Sequence, residues 1–481
     1  MNLVAWLLLG LSLQAPGGAV QGVDDDDRRP NILLILTDDQ RADTLGVAGN
    51  RSIRTPNIDR LAARGAMFTR AYCQGSMNGA VCLPSRSMIL SGAALFDRPN
   101  WSRAIRSDDL ALFPERLRTA GYVTFHTGKF HSGRPWFQRC FEHGKAVFFG
   151  GMGSHFTLPV VDVGVDGGFT EPHSIVGHSS GCFTNAAIEF IDGHDGDSPF
   201  FAEICFTAPH DPRTPTENSL KRFASREIRL PDNHLPVHPF HNGEMTIRDE
   251  ELSPWPRSED EIREQIRLYH ALIEDIDDQV GRLVGALEDN DLLEETMIIF
   301  ASDHGLAVGS HGLMGKQSLY EHSMRAPLIA VGDGFTPGSM RDEFVYLHDI
   351  APTVLEWAGI TDDASSGRTL QESGGAPRDH VLLAYKGLMR SIRVDDWKMI
   401  WYPPIDRYQL FDLAHDPSEL NDLSGDELFQ DRLAVMKALL SESRVAHGDT
   451  ARLEPVPGRS SVFDHAAAEE ARLGKDHWKR R

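Results

Sequence analysis

The chain alternates short runs of apolar residues with longer stretches in which apolar residues recur at helical spacing. Four of the runs are nearly continuous, as expected for strands buried on both faces of a sheet, and they span 31–36, 122–125, 200–206 and 296–301. The predicted helices between them include 57–64, 110–120, 181–192 and 259–287. This alternation predicts an α/β fold in which a large mixed, mostly parallel sheet is flanked by helices.

The pattern changes towards the C-terminus, where short strands separated by tight turns are predicted. These strands span 381–385, 389–394, 397–402 and 408–412, and a helix is predicted at 426–443. We therefore divide the chain after its N-terminal segment into three parts. They are a catalytic α/β domain at 30–375, a small C-terminal α+β subdomain with a short antiparallel sheet at 376–450, and a polar tail at 451–481.

Two stretches rich in glycine and histidine, 144–178 and 213–256, have little periodicity and are predicted to form long loops around the site. Polar and aromatic residues in and near these loops are candidates for substrate selection, with ordinary loop packing as the alternative. They are His155, His173, His178, Arg213, Trp136, Phe148 and Phe149.

The N-terminus begins with an apolar run from Met1 to Leu13, which is long enough for a signal-peptide core and too short to cross a bilayer. Small residues and then an acidic run follow it. We predict a signal peptide at 1–19, cleaved on export to the periplasm or the medium, and an acidic linker at 20–29. An uncleaved anchor is the alternative, because the apolar run is not preceded by Lys or Arg. No stable membrane span is expected elsewhere.

The net charge narrows the possible partners. The chain carries 48 Lys and Arg against 70 Asp and Glu, a formal net charge of −22. Such a chain lacks the basic field that gathers nucleic acid or an anionic membrane surface. An anionic substrate would therefore require a local positive pocket in an acidic surface.

Polar residues that can carry chemistry follow each of the four buried strands. In doubly wound α/β sheets, functional sites gather beyond the carboxyl ends of parallel strands. A single polar residue at such a position is usually a loop or capping residue, but four ends with complementary chemistry indicate a site. In strand order the residues are Asp38 and Asp39, Lys129 and His131, His210, and Asp303 and His304.

The segment around Cys82 has the features of an anion site. Pro84 favours the first position of a helix, so that a short helix at 85–90 would be closed by Gly92. Cys82 would then lie beside a helix N-terminus, where unpaired N–H groups favour an anion, and Arg86 adds a positive charge within one turn. A buried structural cysteine is the alternative from these residues alone. The other four cysteines are compatible with disulfides or with buried thiols.

Several motifs together resemble a known family. The segment Cys82-Leu83-Pro84-Ser85-Arg86, followed by an apolar turn ending in Ser91-Gly92, resembles the signature of the type I, formylglycine-dependent sulfatases of the alkaline-phosphatase-like superfamily. Further blocks resemble that family in the same order along nearly the whole chain after the N-terminal segment. They are Asp38-Asp39, Gly128-Lys129-Phe130-His131, Pro209-His210, Ser302-Asp303-His304-Gly305, Gly315-Lys316-Gln317 and Asp416-Pro417-Ser418-Glu419.

The resemblance implies how Cys82 becomes active. A formylglycine-generating maturation enzyme, guided by Pro84 and Arg86, would oxidise Cys82 to formylglycine. The hydrated aldehyde would attack sulfur and form a covalent sulfate intermediate. The second hydroxyl would then expel sulfate and restore the aldehyde.

The resemblance also implies roles for the neighbouring residues. Lys129, Lys316 and His210 would bind the sulfate group, with the two lysines stabilising the sulfonyl oxygens. His210 would protonate the leaving alcohol. His131 would act as the base that deprotonates the second hydroxyl. His126 could share that role, with a strand-end histidine bonded to the backbone as the alternative.

A divalent metal is part of the implied site, with Asp38, Asp39, residue 82 as formylglycine, Asp303 and His304 as its ligands. Carboxylate oxygens suit Ca²⁺, with Mg²⁺ as the alternative, better than zinc. Many members of the family have asparagine at the position of His304, so this ligand would offer nitrogen instead of an amide oxygen.

Charge counting agrees with an anionic substrate. The metal contributes +2, the three aspartates −3, and Lys129, Lys316 and Arg86 together +3, which sums to about +2 with neutral histidines. A sulfate monoester would be attracted, and so would a phosphate ester. The expected function is hydrolysis of sulfate monoesters, on a carbohydrate or another small organic sulfate. The alternatives are a phosphonate or phosphate monoester hydrolase, and a non-catalytic binding protein if Cys82 is not converted.

Overall fold

A computed structural model of the chain describes residues 29–98, 100–371 and 375–475. The predicted signal peptide at 1–19 and the acidic linker at 20–29, except Arg29, lie outside the described residues. Among the helices within those three ranges, none has the length and apolarity that crossing a membrane requires.

The described residues form fifteen strands. They are β1 (Asn31–Asp38), β2 (Ala66–Tyr72), β3 (Gly75–Ser76), β4 (Val123–Lys129), β5 (His143–Phe148), β6 (Pro159–Val160), β7 (His173–Ser174), β8 (Phe200–Pro209), β9 (Thr296–Ser302), β10 (Leu328–Val331), β11 (Ser339–Tyr346), β12 (His380–Tyr385), β13 (Met389–Val394), β14 (Trp397–Tyr402) and β15 (Arg407–Asp412).

The same residues form twelve α-helices. They are α1 (Pro56–Arg64), α2 (Cys82–Ser91), α3 (Trp101–Ala104), α4 (Phe113–Thr119), α5 (Arg134–Cys140), α6 (Ser179–Asp192), α7 (Glu217–Arg222), α8 (Glu259–Asp289), α9 (Glu321–Met324), α10 (Ile350–Trp357), α11 (Gln430–Ala446) and α12 (His465–Leu473).

An eight-stranded sheet with the order β11-β2-β10-β9-β1-β8-β4-β5 forms the centre of the molecule. Strand β10 is antiparallel to both of its neighbours, and the other adjacent pairs are parallel. This arrangement confirms the predicted mixed, mostly parallel sheet. The four strands predicted to end in chemistry, β9, β1, β8 and β4, are adjacent at its centre.

The apolar character of β1 follows from its burial on both faces. Ile32, Leu34 and Leu36 pack in one hydrophobic cluster with residues of α2, α4, α5 and α10. Leu33 and Ile35 point to the opposite face and pack with residues of α1, α6 and α8. Because side chains alternate along a strand, helical layers on both faces require an apolar residue at nearly every position.

A second, five-stranded sheet has the order β15-β14-β13-β12-β3. Its four C-terminal strands are antiparallel, as predicted, and α11 covers one face through Leu433, Met436 and Leu440. The fifth strand, β3, comes from the segment just before Cys82 and pairs in parallel with β12. The C-terminal sheet therefore holds the chain that leads into α2.

Three segments predicted as loops or tail contain regular structure, and one of them is the stretch 213–256, which contains helix α7. Strand β5 overlaps the start of the stretch 144–178 predicted as a loop, because its sequence His-Gly-Lys-Ala-Val-Phe has no clear apolar alternation. Helix α12 lies within the segment 451–481 read as a polar tail. That segment packs on the 213–256 loop, where the His241 amide donates to the Ser461 carbonyl oxygen at 2.7 Å.

A buried ion cluster joins the C-terminal sheet to the segment that follows Lys316. The Lys398 ammonium lies 2.9 Å from Glu321 Oε1 and 2.8 Å from Glu419 Oε1. The Glu321 backbone N–H also donates to Glu419 Oε2 at 2.7 Å. Glu419, which is 98 residues later in the chain than Glu321, therefore holds the first residue of α9 in place.

Candidate active site

The carboxyl ends of β1, β4, β8 and β9 meet at one edge of the central sheet. Asp38 is the last residue of β1 and Lys129 the last of β4, whereas His210 and Asp303 directly follow β8 and β9. The structure therefore brings together the residues that the sequence places at four separate strand ends. All four are buried.

Helix α2 carries the segment around Cys82 to this edge. The helix begins at Cys82 itself, so Pro84 is its third residue and not its first, which corrects the predicted start. Gly92 closes the helix in a left-handed conformation with φ of 67°, as predicted. The Ser85 hydroxyl donates to the Asp303 backbone oxygen at 2.5 Å and fixes the first turn against the end of β9.

Arg86 connects the strand ends to one another. Its Nε donates to Asp303 Oδ2 at 2.9 Å, and its Nη2 lies 3.8 Å from Asp38 Oδ1. Its guanidinium also donates to the backbone oxygens of Thr37 and Lys129, at 3.3 and 3.2 Å. With its donors engaged in this way and its side chain buried, Arg86 holds the carboxylates in place.

Two lysines flank Cys82. The Lys316 ammonium lies 2.8 Å from Asp39 Oδ1 and 3.6 Å from the Cys82 sulfur, and the Lys129 ammonium lies 2.5 Å from Asp38 Oδ2. Burial alone would raise the pKa of the Cys82 thiol, but Lys129 and Lys316 lower it well below its usual value. The same positive field would stabilise any anionic group bound next to residue 82.

The carboxylates and His304 form a cluster that fits one metal ion. Ligand atoms of Asp38, Asp39, Cys82 and His304 all lie within 4.8 Å of one another. Asp38 Oδ1 and His304 Nε2 are buried without a hydrogen-bond partner among the described residues, so each retains a free ligand atom. Two carboxylates and one imidazole at this spacing match the donors that a divalent cation requires.

Asp303 lies beside this cluster. Its Oδ1 accepts from the Asp39 backbone N–H at 3.1 Å and lies 3.7 Å from His304 Nε2. Burial raises the pKa of Asp303 to about 6, and the Asp303 carboxylate outweighs burial to raise the pKa of His304 to about 9. The cluster therefore attracts positive charge strongly, which a bound cation would supply in place of a proton.

Two histidines complete the pocket. His210 Nε2 lies 3.7 Å from Asp39 Oδ2, and its Nδ1 hydrogen-bonds the Asp211 backbone oxygen at 2.8 Å. Burial disfavours the charged imidazole, but the Asp39 carboxylate outweighs it and raises the pKa of His210 to about 10. Burial lowers the pKa of His131, whose Nδ1 has no hydrogen-bond partner within the described ranges. The pair can therefore supply one protonated and one neutral imidazole.

His126 lies in the hydrophobic core and not in the pocket. Its Nδ1 is 2.8 Å from Glu203 Oε2, and its ring packs against Phe130, Phe137 and Phe141. This placement argues against the prediction that His126 shares the role of a base.

The sequence does not predict the contacts by which several other residues support the site. The Tyr269 hydroxyl donates to the Asp39 backbone oxygen at 2.6 Å and accepts from the Arg41 N–H at 2.9 Å. His155, which the sequence places in a mouth loop, hydrogen-bonds the His210 backbone oxygen at 3.0 Å through Nε2. Such partners lie far apart in sequence and follow no motif, so only the fold reveals them.

Two further contacts between residues far apart in sequence hold the neighbours of His210 and Lys316 in place. Arg248 forms an ion pair with Asp211, which is next to His210. Gln317, which is next to Lys316, donates a hydrogen bond to Asp249 Oδ2 at 2.7 Å.

All five cysteines are free thiols, so the disulfide alternative finds no support within the described ranges.

Comparison with known proteins agrees with this geometry. A family model described as Sulfatase matches residues 30–360. An N-acetylglucosamine-6-O-sulfatase from Bacteroides thetaiotaomicron is 26% identical over 92% of this chain and 91% of its own length. The iduronate 2-sulfatase of Homo sapiens is 31% identical over 73% of this chain and 69% of its own length.

Solved structures show the same fold. A protein solved in complex with its substrate D-glucosamine-2-N,6-O-disulfate superposes with a TM-score of 0.75 at 23% identity, covering 90% of this chain and 100% of that chain. The phosphonate monoester hydrolase of Agrobacterium radiobacter superposes with a TM-score of 0.67 at 20% identity, covering 87% of this chain and 96% of that chain. The chain belongs to the sulfatase family, within the alkaline-phosphatase-like superfamily, and is an enzyme that hydrolyses sulfate esters.

Proposed function

We propose that this sulfatase removes sulfate from a carbohydrate, using formylglycine at position 82 and a divalent metal. The observation that carries the proposal is the pair of buried ammonium groups, Lys129 and Lys316, which lie near Cys82 and contact the carboxylates of Asp38 and Asp39. Relatives named for N-acetylglucosamine-6-O-sulfate and iduronate 2-sulfate hydrolysis support a sugar as the alcohol portion.

The burial of the nucleophile segment constrains its maturation. Cys82 is 4% exposed and Arg86 3% exposed in the folded chain. The formylglycine-generating enzyme could not bind these residues once α2 is packed, so it must act on the segment before the chain folds. Oxidation of Cys82 would supply an aldehyde whose hydrate provides the oxygen nucleophile.

The metal would be held by Asp38, Asp39, His304 and residue 82, with Asp303 at the edge of the cluster. Their oxygen-rich character favours Ca²⁺, and Mg²⁺ is the alternative. When bound, the metal would supply positive charge that lowers the pKa of a coordinated hydroxyl and orients the ester.

The side chains of this chain would perform the remaining work. Lys129 and Lys316 would hold the sulfonyl oxygens as negative charge develops on them. His210 would donate a proton from Nε2 to the departing sugar oxygen, because its Nδ1 is held by the Asp211 backbone oxygen. His131 would accept the proton of the second hydroxyl, since burial keeps its imidazole neutral.

The proposal is tested by assaying matured enzyme against a panel of defined sulfated monosaccharides and disaccharides, with 4-nitrophenyl sulfate and 4-nitrophenyl phosphate as references. We expect at least one sulfated sugar to be hydrolysed with a higher kcat/KM than the aryl sulfate, and the aryl phosphate to be the poorest substrate. Faster turnover of the phosphate would contradict the sulfatase preference. Failure of every sulfated sugar beside an active aryl sulfatase would contradict the carbohydrate substrate.

The proposed role of His210 predicts a dependence on the leaving group. We expect His210→Asn to reduce hydrolysis of a sugar sulfate by on the order of 10²–10⁴-fold, because an alkoxide cannot leave without a proton. Hydrolysis of 4-nitrophenyl sulfate should fall much less, since nitrophenolate leaves unaided. The measurement is kcat/KM for both substrates, with His194→Asn, on a turn at the opposite end of β8, as control. Equal losses on both substrates would assign His210 to binding alone.

We also propose export, with cleavage after the predicted signal peptide at 1–19. N-terminal sequencing of protein recovered from the native host tests this, and a chain that still begins at Met1 would contradict it.

A further inference from the structure

The loop at 213–256 approaches the catalytic pocket through three consecutive charged residues, Arg248, Asp249 and Glu250. Asp249 is 8% exposed and Glu250 is 4% exposed, whereas the side chain of Arg248 is 34% exposed. Burying a charged group is costly unless the group is paired and hydrogen-bonded. The partners of these three residues lie on two sides of the pocket, beside the proposed acid and beside one of the sulfate-binding lysines.

Arg248 holds the residue that orients the proposed acid. Its Nη1 donates to Asp211 Oδ1 at 2.8 Å, and its Nη2 donates to Asp211 Oδ2. Two parallel bonds of this kind fix both the position and the orientation of the carboxylate. His210 contacts the same residue twice, because its Nδ1 hydrogen-bonds the Asp211 backbone oxygen at 2.8 Å and lies 3.3 Å from Asp211 Oδ1. Arg248 therefore acts on the His210 ring through Asp211.

Glu250 holds the backbone that leads into Lys316. Its Oε2 accepts from the Met314 N–H and its Oε1 accepts from the Gly315 N–H, both at 2.9 Å. The Arg257 guanidinium donates to Glu250 Oε2 at 2.9 Å, so the carboxylate is itself held in place. A charged acceptor bound to two adjacent N–H groups fixes both peptide units directly before the lysine.

Asp249 joins the two sides. Its Oδ1 accepts from Arg248 Nη1 at 2.9 Å, and its Oδ2 accepts from Gln317 Nε2 at 2.7 Å. Gln317 Oε1 in turn accepts from the Lys316 backbone N–H at 3.1 Å. One continuous set of hydrogen bonds therefore runs from His210 through this loop to Lys316.

The close approach of the loop depends on Gly315. A Cβ atom at this position would lie 2.9 Å from Asp249 Cβ, 3.1 Å from Glu250 Oε1 and 2.5 Å from Gln317 Oε1. Packed side chains do not approach one another so closely, so any other residue would push the loop away from the segment that carries Lys316. Glycine permits this approach because it has no Cβ.

We propose that Arg248, Asp249 and Glu250 form one positioning element, which holds the His210 imidazole and the Lys316 ammonium at a fixed separation. The inference rests on the roles proposed for His210 and Lys316. The oxygen that His210 would protonate is bonded to the sulfur whose other oxygens Lys316 would hold. Both side chains must therefore meet one ester at the same time, and a displacement of about 1 Å can reduce turnover by about 10²-fold.

The two sides of the element predict different losses. Arg248→Met should lower kcat/KM for a sugar sulfate about tenfold and that for 4-nitrophenyl sulfate much less, because nitrophenolate leaves without a proton. Asp249→Ala and Glu250→Gln should each lower kcat/KM for both substrates by a similar factor of about ten, because negative charge develops on the sulfonyl oxygens with either leaving group. A general loosening of the fold would not separate the two substrates in this way.

Gly315→Ala tests the same contact without removing a hydrogen-bonding group. Its added methyl group should displace Lys316, so we expect the loss on both substrates that Asp249→Ala shows. Gly285→Ala, in α8, is the matched control, because a Cβ atom there would meet no packed neighbour within 4 Å. The control should retain wild-type turnover.

The measurement is kcat and KM for both substrates with the full, matured chain, normalised to its formylglycine content, together with thermal unfolding of each variant. Arg226→Met is the matched control for Arg248→Met, since Arg226 also pairs with a buried carboxylate, that of Glu274. Asp277→Asn is the control for Glu250→Gln, since Asp277 also accepts from two adjacent backbone N–H groups. Both controls should unfold at a lower temperature and keep both activities.

Two results would overturn the proposal. The first is wild-type activity on both substrates in folded Arg248→Met, or in folded Asp249→Ala and Gly315→Ala. The second is an equal loss on both substrates in Arg248→Met. If Glu250→Gln does not fold, Gly315→Ala decides the sulfate side. Either contrary result removes only the positioning element, provided that His210→Asn still shows its leaving-group dependence. Absence of that dependence would instead contradict the role proposed for His210.

Discussion

The Cys82→Ala variant is expected to lose sulfatase activity by on the order of 10⁴-fold or more, since removal of a covalent nucleophile has effects of that size or larger. The reason is local: alanine lacks the thiol that the maturation enzyme oxidises, so no aldehyde forms at position 82. Lys129 and Lys316 would still bind the sulfate ester, but nothing beside them could attack sulfur. The measurement is kcat on 4-nitrophenyl sulfate and on a sulfated sugar.

This experiment needs a control that distinguishes a loss of turnover from a loss of folded protein. Cys140→Ala is the matched control, because Cys140 is also a buried thiol in a helix but lies in α5, away from the strand ends. We expect the control to unfold at a somewhat lower temperature and to retain its turnover. The Cys82→Ala protein should keep a cooperative thermal transition.

Mass spectrometry of the peptide that contains Cys82 completes the test. In active protein from the native host, the peptide should have lost one sulfur and two hydrogens and gained one oxygen. An intact Cys82 thiol in fully active protein would contradict the formylglycine proposal. It would instead assign catalysis to a thiolate, which the lowered pKa of Cys82 would favour.

The sequence predicts the strands at the centre of the main sheet well, because these strands are buried between helices and are therefore apolar. Strand β1 is covered on both faces and is correspondingly apolar from Ile32 to Leu36. The same rule fails at its end, since the observed strand continues to Asp38. The predicted strand at 122–125 likewise continues as β4 to Lys129. Polar residues can remain in a strand when their backbone groups pair with the neighbouring strands and their side chains form ion pairs. A pattern of apolar residues does not detect such positions.

The sequence also does not predict strands that lie at the edge of a sheet or that pair over only two residues. Gly75 and Ser76 form β3 only because β12 is there to pair with them, and no property of a Gly-Ser pair indicates this. Strand β5 pairs along one side with β4 and carries a histidine and a lysine among its six residues. Tertiary pairing decides these elements.

The residues of the catalytic pocket could be named from motifs, but their partners could not. The spacing of Cys82 and Arg86 predicts that both serve one site, whereas the contact of Arg86 with Asp303 joins residues 217 positions apart. The position of His126 shows the converse, because it occurs in a promising sequence block and lies in an aromatic core. Motifs in the local sequence identify functional residues only where the fold brings those residues together at the edge of the central sheet.

Removal of the metal is expected to have the second largest effect. Exhaustive chelation should reduce sulfatase turnover by on the order of 10³-fold or more, since a bound cation contributes several kcal/mol to stabilising developing charge. Addition of Ca²⁺ should restore the activity, and Mg²⁺ should restore less. The reason is that Asp38 Oδ1 and His304 Nε2 are buried without a hydrogen-bond partner in the described chain, so both atoms are available to bind a cation.

A binding measurement independent of turnover distinguishes this metal from a nonspecific salt effect. Ca²⁺ at a hundred times its dissociation constant should raise the free energy of unfolding by about 2.7 kcal/mol in wild type. Asp38→Asn should abolish most of that increase because it removes a ligand charge. Asp277→Asn is the matched control, since Asp277 is a buried carboxylate that accepts from the Asn57 and Ile58 backbone N–H groups and lies outside the cluster. It should lower the basal stability and leave the Ca²⁺ increment unchanged. Full activity in protein whose measured metal content is near zero would refute a metal-dependent mechanism, because the carboxylate cluster would then have only a structural role.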